Sequence, residues 1–266
     1  MITLNGKPVE IGSFPDGTIL MKQGDLDGVF AHIKWQYEND REFLALIYLV
    51  KHLRRLGYKF IDLHMPYIPN ARMDRVKNEK DVFTLKYFAE LLNDLHFNYI
   101  QVLDPHSSVS EALIDNLIVE TPKEYVNETL ERIAPYDHKK SNVLMFYPDE
   151  GAMKRYSGLV NIPYVFGIKK RNWETGKIEG LDVAGAVDQI AGKDILIVDD
   201  ICSRGGTFYH SAKKLKELGA NKIYMYVSHC ENTILEGELL TSGLIEKVYT
   251  TDSIFTKEHE KVEVIK

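Results

Sequence analysis

Two cysteines in 266 residues, Cys202 and Cys230, leave no material for a disulfide framework, and a reducing cytoplasm is the simplest home for such a chain. Neither has His or Cys at metal-site spacing, so structural zinc is not expected. No apolar run approaches the roughly 18 residues that cross a bilayer, and a membrane protein is not expected. The opening Met1-Ile2-Thr3-Leu4-Asn5-Gly6-Lys7 lacks the charged-then-apolar layout of a secretory signal. Basic residues are outnumbered, 33 Lys and Arg against 39 Asp and Glu, for a net charge of -6. There is then no global field to attract nucleic acid, and only a local basic pocket could serve an anion.

What remains, 44% hydrophobic and 27% charged residues without heptads or low-complexity segments, is the balance of a globular chain. Short β-branched or apolar runs alternate with amphipathic stretches. Strands are expected at 29–33, 58–64, 99–103, 142–147, 163–168, 195–198 and 223–227. Helices are expected at 42–56, stopped by Gly57, at 81–95, at 122–133, and from the Gly-Gly turn to Leu218. Asp81 stands where its side chain could accept from the open N–H groups of the second helix. Continuous apolar strands separated by helices imply parallel sheets covered on both faces. Two α/β lobes are expected, residues 1–118 and 119–266. Lys169–Gly180 interrupts the regularity with a polar, basic, Gly-containing stretch, open to two readings: a solvated hairpin or a mobile active-site flap.

The most informative stretch is Ile197-Val198-Asp199-Asp200-Ile201-Cys202-Ser203-Arg204-Gly205-Gly206-Thr207. It places two acidic residues where a buried parallel strand is expected to end, followed by a turn and a helix start. Ligands of open α/β sheets gather at the carboxyl ends of strands. The backbone N–H groups of a Gly-rich turn, with the positive end of the next helix, suit a phosphate. The Asp pair can accept hydrogen bonds from sugar hydroxyls or hold a hydrated Mg²⁺. A phosphorylated sugar fits both halves. The plainer alternative is a strand terminator and helix cap.

Strand, Asp-Asp, turn, Gly-Gly-Thr and helix together resemble the phosphoribosyl-pyrophosphate loop of the type I phosphoribosyltransferase fold. Five further segments, in order, resemble the ribose-phosphate pyrophosphokinases. Gly12-Ser13-Phe14-Pro15-Asp16-Gly17 is similar to the family's Phe-containing ATP segment. Pro66-Tyr67-Ile68-Pro69-Asn70-Ala71-Arg72-Met73-Asp74-Arg75 is similar to its Pro-Tyr…Ala-Arg-Gln-Asp motif. Asp104-Pro105-His106 resembles Asp-Leu-His, Tyr147-Pro148-Asp149-Glu150-Gly151 the Pro-Asp-x-Gly turn, and Lys169-Lys170-Arg171 the Lys-x-Arg of the catalytic loop.

The resemblance implies two phosphoribosyltransferase-like lobes, each a mostly parallel sheet flanked by helices. It implies Mg²⁺-dependent transfer of the β,γ-diphosphoryl group of ATP to the anomeric hydroxyl of ribose 5-phosphate. By the same resemblance, Lys169 and Arg171 are catalytic, on a flexible loop at 169–180. Asp199, Asp200, Ser203, Arg204, Gly205, Gly206 and Thr207 bind the ribose phosphate. Phe14, Asp16, Arg72, Asp74 and His106 bind ATP, with Phe14 and Arg72 sandwiching adenine, and His106 and Asp149 serve the metal. Asp149 could equally cap the helix after it. A homo-oligomer is implied, because ATP sites in this family form with help from a neighbouring subunit.

The chain departs from the pattern in several places. It begins almost directly at the Phe14 segment, so the family's first strand and helix are expected to be missing. Met73 stands for a Gln, and Thr18 for a carboxylate that holds the nucleotide ribose. Arg204 replaces a small residue in the phosphate loop, where a guanidinium could grip an extra phosphate. ADP-ribose, used by phage-type relatives that rebuild NAD, is therefore the alternative acceptor. Two other classes stand beside the pyrophosphokinase. A phosphoribosyltransferase would need no ATP lobe, and a non-catalytic nucleotide-binding homologue would be expected to lose the Lys-x-Arg or the acidic pair.

Overall fold

The computed structural model describes residues 1–23, 28–137, 140–171 and 178–266, with the side chains of 169–171 and 178–180 left out. The chain divides into two compact units, Met1–Thr121 and Pro122–Lys266. Unit 1 runs β1 (Ile2–Leu4), β2 (Lys7–Pro8), β3 (Glu10–Ser13), β4 (Ile19–Lys22), β5 (Phe30–Trp35), α1 (Asp40–Arg55), β6 (Phe60–His64), α2 (Thr84–Asn93), β7 (Ile100–Leu103), α3 (Ser108–Leu113) and β8 (Leu117–Glu120). Its main sheet has the order β2-β1-β5-β6-β7-β8, parallel from β5 to β8 and antiparallel at β1 and β2, while β3 and β4 pair as a separate hairpin.

Unit 2 runs α4 (Lys123–Ile133), β9 (Val143–Tyr147), α5 (Glu150–Tyr156), β10 (Tyr164–Arg171), β11 (Ile178–Gly185), β12 (Asp194–Cys202), α6 (Gly206–Glu217), β13 (Ile223–Cys230), β14 (Lys247–Thr251) and β15 (Val262–Ile265). The sheet order is β11-β10-β9-β12-β13-β14-β15, with β10–β11 the antiparallel pair. The central strands are apolar without alternation: every residue of β9 is buried. Both faces are covered, one by a core around Ile195, Ile197, Phe208 and Leu215, the other by one around Val126, Leu130, Tyr156 and Val198. Mostly parallel sheets between helices are thus what the chain forms, as its apolar runs imply. Among the described residues no helix is long and apolar enough to cross a membrane.

Several expected boundaries shift for identifiable reasons. Gly57 does end the first helix, taking φ +94°, a left-handed conformation open to glycine. The second helix instead starts late, at Thr84, with Phe83 at its N-cap. Asp81 does not cap it: the carboxylate closes the preceding turn, accepting from the Lys77 and Asn78 amides at 2.9 and 3.2 Å and from Asn78 Nδ2 at 2.8 Å. Those donors, the Lys77 amide foremost, hold the carboxyl below its usual range. The stretch 169–180 is not loop at its ends. Lys169, Lys170 and Arg171 continue β10 opposite Leu181, Gly180 and Ile178, with a register shift between Lys170 and Arg171.

Candidate active site

The acidic pair lies inside a strand, not beyond its end. Asp199 sits opposite Val227, and the ladder runs on through Ile201–His229 to Cys202–Cys230. The sequence suggests an end because two charges interrupt an apolar run, yet the backbone ladder does not depend on side-chain polarity. The pair therefore projects from a rigid support. Asp199 Oδ1 accepts from the Asp200 amide at 3.0 Å. Asp200 is only 4% exposed, and its Oδ2 faces Nη1 of Arg155 at 3.5 Å. The Asp199 carboxyl is pushed well above the usual carboxylate range, first by burial and then by the charge of Asp200, with a smaller part from Asp149. Asp199 thus sits in a negative field to which both Asp200 and Asp149 contribute, and Arg155 pairs with Asp200.

Beyond Cys202 the chain turns through Ser203 and Arg204 to Gly205, the N-cap of α6, which takes φ +79°. A Cβ on Gly205 would also meet the Leu239 side chain at 2.8 Å. The turn is pressed from the side by the 3₁₀ segment Asn232–Glu236, and a Cβ on Gly237 would lie 1.9 Å from the Arg204 carbonyl oxygen. The Glu231 amide donates to the Cys202 carbonyl at 2.8 Å, closing the same corner. Thr207 and Gly206 are exposed at the start of the twelve-residue α6. Arg204 also reaches outward, donating from Nη2 to Glu236 at 2.9 Å.

Asp149 is the N-cap of α5, its Oδ1 accepting from the Ala152 amide at 3.0 Å. The capping reading is the one observed, and the same residue adds to the negative field at Asp199. Lys169 and Arg171 are placed by backbone on β10, while their side chains, and the rest of the expected loop at 172–177, lie outside the described residues.

In unit 1 the expected residues sit at three places. Phe14 and Asp16 form the tip of the β3–β4 hairpin, where Asp16 Oδ1 accepts from the Thr18 amide at 3.0 Å and its hydroxyl at 2.7 Å. The Thr18 amide is the first cause holding the Asp16 carboxyl below its usual range. Arg41 anchors the hairpin, donating to the Gly12 carbonyl and Ser13 Oγ. Arg72 and Asp74 follow β6; Arg72 is exposed, and Asp74 faces Arg75 Nε at 3.5 Å. His106 follows β7, two residues after Asp104, which is buried at φ +41°. The last two places share the carboxyl end of adjacent parallel strands, where the Leu103 amide donates to the Pro66 carbonyl at 3.0 Å.

The donor set can be tested against Mg²⁺. Among the described residues no three His, Cys, Asp or Glu side chains converge as a metal cage. Mg²⁺ does not ask for one, because it keeps waters and takes one or two carboxylates with substrate phosphates. Asp199 and Asp200, excess negative charge at a strand, fit that demand. His106 and Asp149 lie in different units.

Reading the sequence missed Arg155, Glu236 and Gly237. A lone arginine on a seven-residue helix carries no pattern, and a glycine tens of residues from the loop gives no sign of touching it.

The phosphoribosyl synthetase-associated domain family matches residues 178–266. The ribose-phosphate pyrophosphokinase of Thermococcus kodakarensis is 28% identical over 253 residues, covering 93% of this chain and 86% of the relative. That of Pyrococcus furiosus is 28% identical over 264 residues, with the same shares. The crystal structure of phosphoribosylpyrophosphate synthetase from Mycobacterium smegmatis superposes with a TM-score of 0.80 at 19% identity, over 97% of this chain and 85% of that one, a likeness of fold.

Proposed function

We infer that this chain is a ribose-phosphate pyrophosphokinase, a transferase of diphosphokinase type, from its likeness to those relatives over nearly its whole length. The reading is that it moves the β,γ-diphosphoryl group of ATP onto the anomeric hydroxyl of ribose 5-phosphate, releasing AMP. The observation that carries it is the paired, charge-compensated Asp199–Asp200 on β12, followed directly by the Gly205–Gly206 turn and the N-terminus of α6. Carboxylates for hydroxyls and amides for a phosphate then lie one turn apart.

Each residue contributes by a separable physical role. Asp200, paired with Arg155, accepts from the ribose hydroxyls. Ser203 to Thr207 and the first amides of α6 hold the 5′-phosphate. Phe14 offers an exposed ring on which adenine stacks, with the Arg72 guanidinium plane on the other side. Lys169 and Arg171 neutralise charge building on the transferred phosphoryl oxygens, where such stabilisation has most effect on rate. Asp199 and Asp200 would hold a Mg²⁺ ion, and the family pattern assigns His106 and Asp149 to metal; the ion would supply countercharge to the phosphates. The anomeric hydroxyl attacks the β-phosphorus in line, without a covalent enzyme intermediate. A homo-oligomer is part of the same reading, and light scattering on the purified protein tests it.

ADP-ribose is the second acceptor considered, through Arg204. Its guanidinium meets Glu236 through Nη2, and a second phosphate would compete with that carboxylate for it. Ribose 5-phosphate therefore stands first. The decisive experiment incubates the protein with Mg-ATP and each acceptor and follows AMP and products by mass spectrometry. A diphosphate added to ribose 5-phosphate supports the reading. Addition only to ADP-ribose moves the acceptor, and transfer to neither leaves a nucleotide-binding homologue.

A further inference from the structure

Asp200 presents a physical problem that the resemblance does not address. A carboxylate that is 4% exposed has lost most of its water, and a buried ion persists only when it is paired. The adjacent Asp199 makes matters worse, because the two carboxyls oppose each other's charge. The compensating cation comes from α5. Arg155 Nη1 stands 3.5 Å from Asp200 Oδ2, with the arginine side chain 31% exposed.

That guanidinium is itself held in place. Its carbon lies 5.4 Å from the centroid of the Tyr156 ring, and Nη1 donates to the Tyr156 hydroxyl at 3.1 Å. Tyr156 is fully buried, tilted against Tyr147 at 6.4 Å, and the Tyr147 hydroxyl donates to the Tyr156 carbonyl at 3.3 Å. A long side chain that would ordinarily sample many rotamers therefore rests on a packed aromatic base. The cap at Asp149 fixes where α5 starts, and so where Arg155 meets β12. Asp199 is held differently, by the amide of its own neighbour. Arg155 thus acts on the Asp200 carboxylate from a different element, α5, than the strand that carries the pair.

We infer that Arg155 is a positioning residue for the acceptor: it fixes the Asp200 carboxylate in the orientation that receives ribosyl hydroxyls. This rests on the reading that Asp200 binds the acceptor, and the test separates the two. Steady-state constants for ribose 5-phosphate and for Mg-ATP, with thermal midpoints, are measured for wild type, Arg155→Met, Arg155→Lys, Asp200→Asn and the Met/Asn double variant.

The expected pattern is a split. Arg155→Met raises the acceptor KM about tenfold and leaves the ATP KM within about twofold, because the lost contact acts on acceptor binding. In the Asp200→Asn background the same change adds less than about twofold, the signature of two residues acting as one. Arg155→Lys recovers part of the loss, keeping the charge without the planar fork. Full multiplication of the two single effects, or equal rises in both KM values tracking a lower thermal midpoint, overturns the inference in favour of general structural support. Asp200→Asn with a wild-type acceptor KM overturns both the reading of Asp200 and the inference built on it. If the Met variant does not fold, Arg155→Lys in both backgrounds gives the same cycle. If wild type transfers to neither acceptor, the cycle is run on ribose 5-phosphate binding by calorimetry, and a wild-type affinity in Arg155→Met defeats the inference there.

Discussion

In unit 2 two residues assigned to the acceptor are tightly enclosed: Asp200 is 4% exposed beside Arg155, and Gly205 is packed against Leu239. In unit 1 the two residues assigned to stack on the nucleotide base stand in the open. Phe14 is 49% exposed at a hairpin tip, and Arg72 is exposed in a turn. The first arrangement fixes donors and acceptors before any ligand arrives, so little ordering is left for binding to oppose. The second leaves ordering to the ligand, as suits flat stacking on a base, which tolerates some slack in orientation. Damage to the two should therefore differ in kind. A change in unit 2 should disturb both binding and folding, whereas a change in unit 1 should disturb binding alone.

The largest effect is expected at Asp200. Asp200→Asn keeps the shape but removes the charge, weakening the pair with Arg155 and depriving the acceptor of a strong hydrogen-bond acceptor. A charge-assisted bond is stronger than a neutral one by about 1–2 kcal/mol, and with the weakened pair the loss in kcat/KM for the acceptor should reach about a hundredfold. A kcat/KM within threefold of wild type would break the comparison at its strongest point.

Gly237→Ala comes next, because it tests wedging without touching any charge. The new methyl carbon would lie 1.9 Å from the Arg204 carbonyl oxygen, so the loop or the 3₁₀ segment must move. Overpacking of this kind costs about 1–3 kcal/mol, and a thermal midpoint several degrees lower is expected together with weaker acceptor binding. Scanning calorimetry and acceptor titration on one sample check both. A lower midpoint with an unchanged acceptor KM would show that the wedge supports the fold and not the loop.

Phe14→Ala should do the reverse. The ring is half exposed at a hairpin tip, and stacking a base on an aromatic ring is worth about 1–3 kcal/mol, so the ATP KM should rise about five- to a hundredfold. The thermal midpoint and the acceptor KM should stay at wild-type values. A fall in the midpoint comparable to that of Gly237→Ala would make Phe14 a packing residue and erase the contrast between the units.

The same contrast decides what could be read from the chain. The strand, turn and helix of the Asp199–Thr207 stretch were legible because each carries its own local signal in contiguous residues. The parallel core was legible because buried strands read as unbroken apolar runs. The extension of β12 past Asp200 was not, since two acids look like an end while the ladder to β13 depends on backbone alone. The opening strands β1 to β4 are two to four residues long and carry too few side chains for any period. Arg155 and Gly237 were invisible for a different reason: each acts on a segment more than thirty residues away, through a contact that only tertiary packing creates.

Arg204 should give the smallest effect, and its smallness is informative. Its pair with Glu236 joins side chains that are 72% and 58% exposed. Pairs of that kind contribute about 0–1 kcal/mol and weaken with salt. The loop is held in place from elsewhere, by the close approach of Gly237 and by the Glu231 amide on the Cys202 carbonyl. Arg204→Ala should therefore leave the thermal midpoint within about two degrees, and the KM for ribose 5-phosphate within about threefold. A larger rise in that KM, with the midpoint unmoved, has one physical explanation. The guanidinium leaves Glu236 and grips phosphate when the acceptor binds, and Glu236→Gln should then tighten the acceptor by freeing it. Finding that rise for ADP-ribose alone, with ribose 5-phosphate unaffected, would identify Arg204 as the residue that selects the longer acceptor.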